Sequence, residues 1–322
     1  MFFPLLGFAL LEQPVTASDR FEAQARAACA SPVGTRPGLP GITIEAIGAA
    51  GTDLPHLHIT DRVSGGSMHA YYDPISEHAA WSRAACLGAQ MRLLHAETGA
   101  VWRNARWSSV VFTAHADYIP PRSASEKRWT IATAPDGSLT PAAQHMAVVV
   151  MPHEQVHAFQ KRLGADTPRW FHEGHAQWIS RKVVAVLAPE AGREDARQGA
   201  QALESSTEPV ALARWGGMQV KPEAILRQVG PEEREKIKAD PHYAPPGPFS
   251  FGPGDMVSDE RNTPARYEAA WRVFASLEAA HGTAQVEAWA GELTAAGGSV
   301  TPARIQETAQ AAFREDLSRR LQ

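Results

Sequence analysis

His153 and His157, with Glu154 beside the first, are the residues whose types and spacing most directly suggest chemistry. On a helix, residues four apart share one face, so the two imidazoles would point at one place. Neutral imidazole is a good Zn²⁺ ligand, and two of them plus a carboxylate leave one coordination position for water. Bound zinc lowers the pKa of that water to about 7, and a nearby carboxylate such as Glu154 can then take its proton. Glu173 supplies a third donor, with fifteen residues between it and His157. One zinc per chain, held by His153, His157 and Glu173, is the expectation, and metal-assisted hydrolysis is the chemistry.

The elements that must position these residues follow from the surrounding pattern. Thr140-Pro141 reads as an N-cap with proline at the first helical position. The helix from there is expected to run to Leu163, with Pro152 either kinking it or marking its start. The segment 168–178 reads as a turn entering a second helix that carries Glu173. His172 and His175 flank Glu173, so on a helix they point elsewhere. Gln177, one turn on, either supports a zinc histidine by a hydrogen bond or is a solvated helix position. Upstream, 19–29 and 77–95 have helical character. Residues 42–47, 57–60, 110–114 and 128–134 read as strands, and Gly65-Gly66 marks a turn. Beyond 185 the chain becomes helix-rich, with candidates over 223–229, 232–238, 266–281, 284–294 and 302–321. A long Pro- and Gly-rich loop at 241–263 interrupts them and reads as a lid or mobile segment. The tryptophans at 102, 107, 129, 170 and 178 are expected in the core.

The pair His153-Glu154-x-x-His157 and Trp170-x-x-Glu173-Gly174-x-Ala176 resembles the gluzincin branch of the zincin metallopeptidases, which includes thermolysin and the neutral zinc aminopeptidases. The order of elements is similar to small bacterial proteins of the peptidase MA-like superfamily. In those proteins a helix precedes a strand like that at Ser108–His115. An aromatic such as Tyr118, a further strand and the zinc helix then follow. The likeness spans about 76–182, with an echo near Tyr267. It implies an α+β fold: a zincin-like small mixed sheet, a zinc-binding helix and a helical C-terminal part. It also implies that Tyr267, near the start of a late helix, donates its hydroxyl to the oxyanion formed at the attacked carbonyl. A packing tyrosine is the alternative, and His242 and Tyr243 are the other donors considered. Gly66-Ser67-Met68-His69-Ala70 has only a superficial likeness to the exopeptidase motif of zinc aminopeptidases. His69 stands where that motif needs a glutamate, so aminopeptidase activity is not inferred.

Composition bounds the rest. At 322 residues with a net charge of −4, one or two domains are expected, and no dense Lys/Arg block offers the basic footprint of nucleic-acid binding. The apolar run 2–11 followed by Val15-Thr16-Ala17 reads as a secretory signal with the mature start near Ser18; a buried N-terminal strand is the alternative. The run is too short to span a bilayer, so no lasting membrane insertion is expected. Cys29 and Cys86 are the only cysteines. They either form a disulfide in an oxidising compartment or remain two buried thiols.

The expected organisation is a signal at 1–17, a zincin-like catalytic domain at 18–185 and a helical subdomain at 186–322 that completes a metal-holding cleft. The expected function is a periplasmic or secreted bacterial zinc metallopeptidase acting on peptide or protein substrates, with Glu154 as general base. The alternatives are a zinc-binding module of the same fold without turnover and a zinc hydrolase of a non-peptide amide. Oligomeric state is left open.

Overall fold

The computed structural model describes residues 16–49, 54–98, 107–115, 128–160, 163–164, 167–208, 210–240, 243, 245–296, 298 and 300–321. The apolar N-terminal run, Trp102, Tyr118 and His242 lie outside them. The chain combines a five-stranded mixed sheet with a mostly helical remainder. It divides into two compact units, 1–158 with 180–192, and 159–179 with 193–322.

In the first unit, β1 (Ile42–Ile47), β2 (His56–Asp61) and β3 (Ser67–Tyr72) run antiparallel. Strands β4 (Ser109–Thr113) and β5 (Arg128–Ala132) then add in parallel, in the order β1-β2-β3-β4-β5. Side chains alternate across a strand. Leu57, Ile59, Met68, Ala70, Val110, Phe112 and Ile131 fall on one face, and each is essentially inaccessible. Helix α2 (Glu77–Thr98) lies against β1, β2 and β3. Gly88 permits the approach: a Cβ there would sit 2.5 Å from the Ile42 side chain. The opposite face carries Glu45, His56, His58, His69 and Tyr71 by the same alternation.

Helix α1 (Ala17–Cys29) opens with a capping box between Thr16 and Asp19, which satisfies two otherwise unpaired amides. Cys29 and Cys86 form a disulfide between α1 and α2. That settles the pairing the sequence left open.

The segment expected as one helix from Pro141 is built in three parts. Helix α3 (Pro141–His145) passes into a π turn over Met146–Val150 and then into α4 (Met151–Phe159). Pro152 has no N–H to give, and the wider turn just before it absorbs the misfit. Gln90 of α2 donates to the Ala147 carbonyl within that turn at 2.7 Å.

The second unit includes the first part of α5 (Arg169–Leu187). It also holds α6 (Pro189–Glu204) from residue 193, α7 (Pro222–Leu226) and α8 (Pro231–Ala239). Helices α9 (Thr263–His281), α10 (Thr283–Ala296) and α11 (Pro302–Phe313) complete it. The 241–263 segment contains a short strand, β7 (Met256–Ser258), paired with β6 (Met218–Val220). An aromatic core joins Phe171, His175 and Trp178 of α5 to Phe274 of α9 and Trp289 of α10. No helix among the described residues is long and apolar enough to cross a membrane.

Candidate metal centre

Helix α4 sets the histidine pair. His153 and His157 meet edge to face, ring planes at 85° and centroids 4.7 Å apart, with their Nε2 atoms 3.0 Å apart. The rotation of α4 about its axis is fixed from its far side. The Gln155 amide donates to the Ser108 carbonyl at 2.8 Å, and its oxygen accepts from the Ser108 N–H at 2.9 Å. Gln155 is two residues from each histidine and therefore about opposite them on the helix. Met151 and Val156 are fully buried. Glu154, next along the chain from His153, is partly accessible.

Helix α5 sets the carboxylate. Glu173 is 9% exposed, and Arg169 Nε, one turn earlier, stands 3.6 Å from its Oε1. Arg169 also pairs with Glu260 and lies over the Trp215 ring, 5.0 Å from its centroid. Burial opposes the Arg169 charge, but the hydrogen bond to Tyr267 and the carboxylates of Glu260 and Glu173 outweigh it and raise its pKa.

Tyr267, on the second turn of α9, joins this group. Its hydroxyl is hydrogen-bonded with both Arg169 and Glu173, and its ring meets Trp215 edge-on at 5.0 Å. Burial and the negative Glu173 push its pKa up to about 12, against a smaller opposing pull from Arg169. The phenol therefore keeps its proton near neutral pH and can donate it in a hydrogen bond. Gly174 allows α9 to come this close: a Cβ there would stand 2.8 Å from the Ala270 carbonyl oxygen.

The ligand atoms of His153, His157 and Glu173 all lie within 4.8 Å of one another. This is a cluster compatible with a metal site. Two nitrogens at about 2.0–2.1 Å from a tetrahedral zinc stand about 3.4 Å apart, close to the 3.0 Å observed between the imidazoles. Two neutral nitrogens and one carboxylate oxygen suit zinc and leave a fourth position. The donor set therefore fits the ion.

The other candidates fall elsewhere. His175 is 2% exposed and stacks against Phe171, Trp178 and Phe274. Its Nδ1 meets the Gln160 side-chain amide at 3.1 Å. His172 is a third exposed, with its Nδ1 4.0 Å from Glu173 Oε1. Gln177 reaches towards Asp195 at 3.5 Å. Tyr243 donates its hydroxyl to Glu233. Arg169 was not read as part of the site. Its position one helical turn before Glu173 was the available signal.

No protein-family model matches the chain, and no curated protein matches it. Among solved structures it is similar to a crystal structure of a two-domain M1 zinc metallopeptidase mutant bound to L-tryptophan. That match has a TM-score of 0.41 and 13% identity, and it covers 87% of this chain. The chain corresponds to 50% of the length of that structure's chain.

Proposed function

We propose that this chain is an exported zinc metallopeptidase in which His153, His157 and Glu173 hold the metal and Glu154 is the general base. The clustering of those three donors within 4.8 Å carries the reading. Zinc, when bound, supplies a Lewis acid that polarises a carbonyl and brings the pKa of a water to about 7. Glu154 follows His153 directly on α4 and is partly accessible, and its carboxylate would take and hold the proton of the attacking water. It would then pass that proton to the leaving amine. Tyr267, protonated and beside Glu173, donates its hydroxyl to the developing oxyanion. Arg169 holds Glu173 in place from the preceding turn.

A zinc-binding module without turnover has no use for a carboxylate at 154, and this favours the enzyme. A non-peptide amide substrate would use the same groups and is separated by substrate, not by site. The disulfide between Cys29 and Cys86 supports export, because such bonds persist in oxidising compartments.

Glu154→Gln tests the mechanism. It should retain zinc by elemental analysis while peptide hydrolysis falls by about 10²- to 10⁴-fold, the usual contribution of a general base. Near-native turnover in that variant removes Glu154 from the mechanism. Export is tested by intact mass. Protein recovered from the periplasm or medium should begin near Ser18, and retained Met1 on cytosolic protein reverses that part of the proposal.

A further inference from the structure

We propose that Gln90 of α2 is a positioning residue for the α4 histidines: it supplies, to the turn before them, the hydrogen-bond donor that Pro152 removes. The inference rests on the reading of His153 and His157 as metal ligands. In the π turn over Met146–Val150, Met151 gives its N–H to the Met146 carbonyl, five residues back. One residue on, the same pattern would give the N–H of residue 152 to the Ala147 carbonyl. Residue 152 is proline and has no N–H. Met151 has already given its own N–H to Met146. The donor comes from outside the helix instead, as Gln90 Nε2 at 2.7 Å from the Ala147 oxygen. A carbonyl only accepts, which assigns the nitrogen of the Gln90 amide to that side.

Burial makes this bond matter. Gln90 and Ala147 are each 1% exposed, so water is no ready substitute, and a buried carbonyl left unpaired is costly. The far end of the same amide shows that Gln90 is not there for general stability. Its Oε1 is buried with no hydrogen-bond partner among the described residues, and its nitrogen otherwise meets only Cys86 Sγ, at 3.8 Å. A half-paired buried amide costs free energy that an apolar side chain of the same length would not. What Gln90 adds in return is the bond to Ala147, and with it the shape of the turn.

That shape sets a rotation. Each residue of an α-helix advances about 100° around the axis. A π turn holds one residue more, so everything after it is rotated by about that angle relative to an unbroken helix. The two sides of the turn are held separately. On α3, Gln144 donates to the Cys29 carbonyl at 3.0 Å and accepts from Arg83 Nε at 2.6 Å. On α4, Gln155 is bonded to both backbone groups of Ser108. The extra residue reconciles the two, and Gln90 holds it where it is. Were the turn to tighten to α geometry, His153 and His157 would swing together away from the side they now face.

The test is a double-mutant cycle on the full chain between Gln90→Met and Pro152→Ala. Gln90→Met keeps the length of the side chain and removes the donor; Pro152→Ala restores an N–H that can take the Ala147 carbonyl. Two quantities are read: the zinc Kd, by competition with a chelator, and the denaturation midpoint of the zinc-free chain. Gln90→Met should weaken zinc binding by about ten- to a hundredfold, the range for groups that orient metal ligands. With Pro152→Ala also present, the same substitution should cost much less. Its effect on the midpoint should depend on residue 152 in the same way, which a plain packing role would not require. The inference is overturned if the two substitutions add independently in both readouts. If the native chain binds no zinc, the metal reading fails and the midpoints alone decide: coupled, they support the role of Gln90 in the turn; additive, they overturn it. Should Gln90→Met not fold, recovery of the fold by Pro152→Ala supports the inference, and no recovery overturns it.

Discussion

Two sets of histidines in this chain stand on different secondary structure. On α4, His153 and His157 are one helical turn apart, meet edge-on at 85°, and bring their Nε2 atoms to 3.0 Å. On β2 and β3, His56, His58 and His69 share a sheet face, and the closest pair of ring planes stacks at 23°. The helix pair is already set for a common ligand because one backbone fixes both residues. Its helix is clamped from behind by Gln155 against Ser108. The sheet set depends on register between two strands, and the His56 Nδ1 lies 3.1 Å from the Leu54 carbonyl oxygen. The difference teaches that preorganisation lies in what holds the backbone and the second ring nitrogen, beyond the number of imidazoles.

The sharpest way to break this contrast is to disturb the group beside Glu173. Tyr267→Phe should lower kcat and kcat/KM together with KM nearly unchanged, the pattern of an interaction made mainly in the transition state. The expected loss is on the order of a hundredfold, as for one oxyanion donor. Steady-state kinetics on one peptide substrate checks it. A variant with native kcat returns Tyr267 to a packing role against Trp215.

Gln155→Ala attacks the clamp. It leaves the buried N–H and carbonyl of Ser108 without the Gln155 amide, at about 1–3 kcal/mol for each buried group left unsatisfied. Chemical denaturation should show the loss, and zinc affinity at α4 should fall with it. If zinc affinity is unchanged, the helix pair does not owe its geometry to the clamp, and the contrast with the sheet set weakens.

Gly174→Ala probes the same order from α5. The added methyl meets the Ala270 carbonyl at 2.8 Å, so α5 and α9 must separate locally. Overpacking of this kind costs about 1–3 kcal/mol. Hydrolysis should fall as well, because Tyr267 moves with α9. A loss of stability with native kinetics would separate the role of Gly174 in packing from any role in placing Tyr267.

The legibility of the molecule in its sequence follows the range of the forces involved. The shared face of His153 and His157 could be read directly, because the helical period is set by bonds within one turn. Strands β1, β2, β4 and β5 were legible as short β-branched or alternating runs, and α2 from its apolar spacing. Strand β3 is not among the expected strands: its opening Ser67-Met68-His69-Ala70 has little intrinsic strand preference, only Tyr71 and Tyr72 favour a strand, and the element is completed by pairing with β2 on one side and β4 on the other. Helix α6 was missed for a related reason. It is polar on average, contains Gly192 and Gly199, and buries no residue fully; its less polar face is made mostly of alanines, which mark a core-facing stripe only weakly. The break in the helix before His153 was visible in Pro152. Its resolution as a π turn over Met146–Val150, with Gln90 reaching the Ala147 carbonyl, was not.

The sequence by itself determined the local chemistry: two imidazoles one turn apart, a carboxylate beside the first, and a glutamate followed by glycine at the start of the next helix. These depend on spacings within single elements. Tertiary structure alone decided which distant residues meet. It joined Cys29 to Cys86, stacked His69 of β3 on His56 of β2, and brought Tyr267 to Arg169 and Glu173. It also revealed Gly174 as the point where α9 passes close to α5. Each of these depends on strand register or helix packing between segments far apart in the chain. No local period encodes such pairings; they arise when burial of the shared apolar faces selects one register and one approach.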